Sequence, residues 1–365
     1  METALTDLGR LAVWITLVAA TVAILAVLRP LCYRFNLLDH PTERKQHGAP
    51  VPVAGGIAML LVVAPTMLGA TVIDPRTAFS HWWVVLVAAV TLLGVGMIDD
   101  RRGLSPARRL AVQLIAAIAV VYVGDFQVTS LGALGQLGQW SSAFTVLLIV
   151  SFLNACNMVD GADGLLGSVL LPPLVAIAMI ANEPLNWGSG LLAATVLGFL
   201  VFNWPSRSGV RSRRRVFMGN GGVMFIALFM AAVLIHATVP GGPLRPGTVP
   251  LLVLIPLAEL ATTCVRRIIR RVSPLSPDRG HLHHYLLHHG FTPRSLAWSY
   301  LLLSSAATLF IVLLSRTGID GFWLWCIGAA LLTTVTLAEF WRSTPLRDFH
   351  LGDTTEAEPL PSLQD

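Results

Sequence analysis

Two adjacent carboxylates, Asp99 and Asp100, close an apolar run in GMIDDRRGLSPARR and are followed at once by Arg101 and Arg102. Paired carboxylates at a helix end suit a hard divalent cation and the phosphates it neutralises, because Mg²⁺ takes oxygen ligands and keeps positions for phosphate and water. An interfacial charge cluster is the plain alternative. A denser insert, NACNMVDGADGLLGS, crowds Asn154, Asn157, Asp160 and Asp163 between two apolar stretches, with Gly161 and Gly164 permitting a sharp backbone path. Helix capping is the structural alternative here, yet packing gives little reason for so many amide and carboxylate groups.

Three further loops carry donors. In RSGVRSRRRVFMGNGGVMF, residues 207–225, five arginines between 207 and 215 precede a Gly-Asn-Gly-Gly turn. Arginine binds phosphate well, but a basic run before an apolar stretch ordinarily sets topology, so the arginines are read as positional and Asn220 as the site residue. In KQHGAPVPVAGG, residues 45–56, prolines and glycines shape a loop on which Lys45 and His47 supply donors, with a topology-setting basic turn as the equal alternative. The loop SPLSPDRGHLHHYLLHHGFTPR holds His281, His283, His284, His288 and His289 beside Asp278 and Arg279. The HxHH spacing fits Zn²⁺ or a set of phosphate-contacting donors, and no Cys or Glu stands at the usual zinc spacing.

The elements that must position these loops are apolar. Hydrophobic residues make up 55% of 365 positions and charged residues 12%, a balance that excludes a soluble globular domain. Crossing about 30 Å of hydrocarbon takes roughly 20 apolar residues as helix. Eleven stretches answer to that description: 11–28, 54–73, 81–98, 107–124, 141–157, 164–181, 187–203, 217–239, 249–268, 296–315 and 320–341. The expected fold is an all-α polytopic membrane protein of about eleven transmembrane helices, one domain over 1–342 and a disordered cytoplasmic tail over 343–365. The first stretch reads as an uncleaved span, because Glu2 and Asp7 precede it and no small-residue cleavage site follows before Arg29.

Lys and Arg divide unequally among the loops. Twenty-one of the 25 fall in one alternate set, and only Arg10, Arg76, Arg245 and Arg316 in the other. Basic loops stay cytoplasmic, which predicts the N-terminus outside, the C-terminus inside, and all five chemical loops on the inner face. The formal charge of +5 is spread over these loops, as topology demands, so no nucleic-acid partner is expected. Cys32, Cys156, Cys264 and Cys326 stand far apart and read as packing residues. Segment 125–140 suggests a short hairpin. Pro172, Pro173 and Pro256 are expected to bend their helices and open a lipid-facing groove.

Taken together, the loops resemble the polyprenyl-phosphate N-acetylhexosamine-1-phosphate transferases, bacterial membrane enzymes that start polysaccharide assembly; the five motifs match in order over about residues 30–295. The resemblance implies transfer of a sugar-1-phosphate, GlcNAc-1-phosphate foremost, from a UDP-N-acetylhexosamine to undecaprenyl phosphate. UMP is released, Mg²⁺ or Mn²⁺ is required, and the location implied is the bacterial plasma membrane. A homodimer is an allowed assembly. Residue by residue it implies catalytic roles for Asp99, Asp100, His281, His283 and His284 and metal ligation by Asn157 and Asn220. Substrate contacts are implied for Lys45, His47, Asn154, Asp160, Gly161, Asp163 and Arg279.

Two positions depart from the family pattern. Where MGDxGS is usual, this chain has Met218, Gly219, Asn220, Gly221, Gly222 and Val223, so an uncharged amide replaces a metal-binding carboxylate. Glu259 in IPLAEL stands where Asp is common. The first departure motivates a second reading, a weakened member that binds nucleotide or lipid as a scaffold. A transporter would place polar groups at mid-span in both halves of a repeat, which this sequence does not.

Overall fold

The computed structural model describes residues 2–39, 49–73, 81–183, 185–206, 215–273, 280–315 and 321–343. Lys45, His47, Arg279 and the tail from 344 onward lie outside the described residues. The chain runs α1 (Glu2–Arg34), β1 (Leu38–Asp39), β2 (Val51–Pro52), α2 (Gly55–Ile73), α3 (Trp82–Arg102), α4 (Pro106–Tyr122) and α5 (Ser141–Val159). It continues with α6 (Leu165–Ile180), α7 (Leu185–Asn203), α8 (Gly219–Ala237), α9 (Val249–Leu252), α10 (Leu254–Ile269), α11 (Leu282–His288), α12 (Pro293–Ser315) and α13 (Gly321–Ser343). The fold is all-α and polytopic.

Each of the eleven apolar stretches falls on helix, and length and composition alone sort those helices by fitness to cross a membrane. By length and composition eight described helices qualify, namely α1, α2, α3, α5, α7, α8, α12 and α13, and α9 with α10 makes a ninth only as a pair bent by 75°. α6 is 16 residues long, and the 17-residue α4 carries Arg108 and Arg109 in its first turn. Both nonetheless run from one end of the bundle to the other, α4 from the Asp99 junction to segment 125–140 and α6 from the Gly164 turn to the start of α7.

Prolines act in two ways. The α9–α10 break falls at Val253, three residues before Pro256. Pro256 has no N–H to give the Leu252 carbonyl and its ring crowds that oxygen, so a continuous helix there is disfavoured. In α6, Pro172 and Pro173 lie inside a helix that continues past them. Pro173 would leave the Val169 carbonyl without its intrahelical donor, and Ser304 Oγ of α12 donates to that oxygen at 2.8 Å.

Burial orders the bundle. Apolar on every side, α8 is 89% buried over its span, whereas α1 is 11% buried. α3 packs most extensively against α8. Their backbones meet at Gly96 and Gly221, and α2 meets α8 at Gly56 and Gly222; a Cβ at Gly96 or Gly56 would strike the facing backbone. Small residues at such crossings allow the close approach on which helix association in lipid depends. Segment 125–140 forms one antiparallel bridge, Ser130 to Gln136, around short 3₁₀ turns, and its Leu131 carbonyl accepts from Trp325 Nε1 at 2.7 Å. All four cysteines are free thiols.

Candidate active site

The loops that carry chemistry meet at one end of the bundle, and the first junction joins α3 to α8. Gly103 ends α3 in the left-handed region at φ 65°, which turns the chain back over the last turn. Buried Asp99 therefore accepts from the Leu104 N–H at 2.6 Å, from Arg109 Nη1 at 3.3 Å and from Asn220 Nδ2 at 3.0 Å. Asp100 accepts from the backbone N–H of Asn220, with oxygens at 3.0 and 3.3 Å, where the positive end of α8 favours an anion. Gly219, at φ +76°, makes this approach: a Cβ there would meet Val53 and the Asp100 carboxylate.

The polar insert between α5 and α6 lies beside this junction. Asn154 donates to Gln113 Oε1 on α4 and to the Val150 carbonyl, both at 2.8 Å. Asn157 donates to the Leu153 carbonyl at 3.2 Å, so its oxygen is the end available to a cation. Asp160 caps α5, and its carboxyl is pushed up to about 8, first by burial and then by the charges of Asp163 and Asp100. Asp100, Asp160 and Asp163 thus share one electrostatic field. Arg215 reaches Asp163 at 2.6 Å with its guanidinium 4.7 Å over the Phe217 ring. Gly164, at φ 77°, gives its N–H to Asn203 Oδ1 at 2.7 Å, and Asn203 Nδ2 donates to the Val216 carbonyl at 2.9 Å.

The histidine loop closes over the insert. His283 is buried with its ring against Gly161, where a Cβ would overlap the imidazole. Its Nε2 is buried with no hydrogen-bond partner among the described residues. Burial foremost, then the charges of His284 and His281, holds His283 well below the usual histidine range, so it stays neutral at physiological pH. His281 stacks parallel to His283 at 5.6 Å, and His284 packs on His283 at 4.2 Å between centroids. His288 and His289 are exposed, and Tyr285 stacks on His289.

Asp99, Asp100, Asn154, Asn157, Asp160, Gly161, Asp163, Asn220, His281, His283 and His284 therefore occupy one neighbourhood built from α3, α5, α8 and α11. The loop of Lys45 and His47 lies outside the described residues, but its far side is tied in: Phe217 N–H donates to the Pro52 carbonyl at 2.8 Å and Gly55 N–H to the Phe217 carbonyl at 3.0 Å. Five participants went unassigned in the sequence. Arg215, grouped with the positional arginines, is ion-paired to Asp163; Arg109, Gln113, Asn203 and Glu259 each hold a motif residue in place. Gln113 in α4 and Asn203 at the end of α7 are amides in apolar helices, a signal legible in the sequence. Among the described residues no three His, Cys, Asp or Glu side chains come together to hold a metal, so the HxHH spacing does not make a zinc cage here.

The model of glycosyl transferase family 4 matches residues 82–238. The undecaprenyl-phosphate alpha-N-acetylglucosaminyl 1-phosphate transferase of Yersinia pestis is 31% identical over 304 residues, covering 80% of each chain. Its counterpart in Escherichia coli K12 is 30% identical over 293 residues, 77% of this chain and 76% of that one. The decaprenyl-phosphate N-acetylglucosaminephosphotransferase of Mycolicibacterium smegmatis is 32% identical over 322 residues, 77% of each. The matched segment runs from the start of α3 to the end of α8 and so contains both the carboxylate junction and the polar insert. With that likeness spanning most of the sequence, the chain belongs to glycosyl transferase family 4.

Proposed function

We propose that this chain transfers N-acetylhexosamine-1-phosphate, GlcNAc-1-phosphate foremost, from a UDP-sugar to undecaprenyl phosphate and releases UMP, at the cytoplasmic face of a bacterial plasma membrane. The observation that carries the reading is the common field of Asp100, Asp160 and Asp163 beside the N-terminus of α8, under a roof of histidines. Relatives over most of the chain bear the names of such transferases. The basic residues of α3, α4, α10 and α12 lie at the end of the bundle that holds the site, which by the positive-inside rule is the cytoplasmic end.

An acceptor phosphate oxygen attacks the sugar-bearing phosphorus of the donor, and the bond from that phosphorus to the bridging oxygen breaks with UMP as leaving group. One pyrophosphate linkage replaces another, so positioning and charge neutralisation supply the catalysis. Asp100 and Asp160, with the amide oxygens of Asn157 and Asn220, fit Mg²⁺ or Mn²⁺. Their crowded field raises Asp160, which a divalent cation would relieve. Such a cation, when bound, neutralises the phosphates of both substrates. Asp100 orients the acceptor phosphate, Asp99 holds Asn220 and Arg109 in place, and His281 and His284 donate to the donor diphosphate. The polyprenyl chain runs along the α9–α10 bend of 75° in this reading.

The test is direct. Purified protein given UDP-GlcNAc, undecaprenyl phosphate and Mg²⁺ releases UMP, and Asp100→Asn lowers turnover by at least a hundredfold while the protein still inserts and folds. No UMP from any UDP-N-acetylhexosamine would overturn the assignment.

A further inference from the structure

One polar stripe remains after the site residues are assigned. Along α10, Glu259, Thr263 and Arg266 follow at i, i+4 and i+7 and so share a face, and they are 3%, 0% and 2% exposed. Charged groups buried in a helix that is half of a membrane span are costly and need partners. Their partners are three successive residues of the histidine loop. Arg266 Nη1 donates to the Gly280 carbonyl at 2.5 Å, and Glu259 Oε1 lies 2.7 Å from His281 Nδ1. Leu282 N–H lies 3.3 Å from both Glu259 oxygens, and Thr263 Oγ1 is 3.5 Å from the same His281 nitrogen. Gly280 permits this contact, because a Cβ there would strike the Arg266 guanidinium.

We propose that Glu259 is the positioning residue of His281. A carboxylate at hydrogen-bond distance from Nδ1 keeps a proton on that nitrogen and fixes the ring, because the partner of one imidazole nitrogen decides the role of the other. Nε2 is then the atom presented to substrate, with the ring parallel to that of His283. Glu259 acts through His281, and α10 is the strut that sets the height of the histidine loop over the polar insert. The inference rests on the reading of His281 as a phosphate contact.

A double-mutant cycle on the full-length protein separates the two. UMP release is measured for Glu259→Ala, Glu259→Asp, His281→Ala and the double variant. A carboxylate that orients a functional imidazole is worth about tenfold to a hundredfold, so Glu259→Ala lowers kcat by that factor with the KM for undecaprenyl phosphate unchanged. Glu259→Asp, one methylene shorter, recovers part of it, and Glu259→Ala adds less than twofold once His281 is gone. In ¹⁵N-histidine-labelled protein under alkaline conditions, His281 carries its proton on Nδ1, and Glu259→Ala shifts it toward the Nε2–H form. Equal losses from Glu259→Ala in both backgrounds, or an unchanged His281 tautomer, overturn the proposal while leaving the histidine reading intact. Full turnover by His281→Ala overturns the histidine reading and the proposal with it.

Discussion

Asp99 and Asp100 are neighbours in sequence and opposites in surroundings. Asp99 is buried and receives three donors from Leu104, Arg109 and Asn220, whereas Asp100 is half-buried and joins the field of Asp160 and Asp163. Asp99→Ala strips the acceptor from the Leu104 N–H, the Asn220 amide and the more exposed Arg109, and a donor left unpaired in the interior costs about 1–3 kcal/mol. Scanning fluorimetry in detergent should therefore show Asp99→Ala melting well below Asp100→Asn. Asp160 makes a second prediction, from linkage. Its carboxyl rises from the ordinary aspartate value of 3.8 to about 8 on folding, so the folded state holds a proton that the unfolded state has lost. Stability from that group is intact below about 4 and drains away as pH climbs through 8. In EDTA, Asp160→Asn, which mimics the protonated form, should overtake the parent chain in melting temperature as pH rises across that window. Added Mg²⁺ should narrow the gap, because a cation stabilises the carboxylate form.

At the scale of elements, the site depends on how closely α3 and α8 approach. Gly94 and Gly96 lie two residues apart on α3, yet a Cβ at Gly94 meets nothing and one at Gly96 strikes the backbone of Gly221. Gly96→Ala should lose about 1–3 kcal/mol of stability from overpacking and also turnover, because Asn220 moves away from both carboxylates. Gly94→Ala should match the parent in both measurements, and equal harm from the two would refute the close-packed junction. Gly161→Ala belongs to the same class: its methyl group displaces His283, so activity should fall without a comparable fall in melting temperature. The α6–α12 contact offers a milder case. Ser304→Ala removes the donor to the Val169 carbonyl and should cost about 1 kcal/mol.

For the whole molecule, the polar loops and the basic residues share one end, which predicts a single sidedness. In a cysteine-free background, Arg101→Cys in intact cells should react with a membrane-impermeant thiol reagent only after permeabilisation; labelling of intact cells would invert the proposed orientation. Apolar runs, basic loops and five motifs in fixed order were enough to establish a polytopic helical protein and its family before any coordinate was considered, because hydropathy and loop charge are local properties that the bilayer reads directly. The motif residues were legible for a related reason: buried carboxylates, amides and imidazoles in an apolar chain are too costly to be incidental. Which partners hold them was not legible. Asn220 meets Asp99 across 121 positions, Arg215 meets Asp163 across 52, and Glu259 meets His281 across 22. Glu259 and Arg215 appear in sequence as a departure and as part of a basic run, and only packing makes them anchors. Sequence alone determined the solvent each segment occupies, the chemistry it brings and the bend at Pro256; tertiary structure decided which distant groups meet, because that depends on close helix crossings at glycines, which leave no periodic trace in the chain.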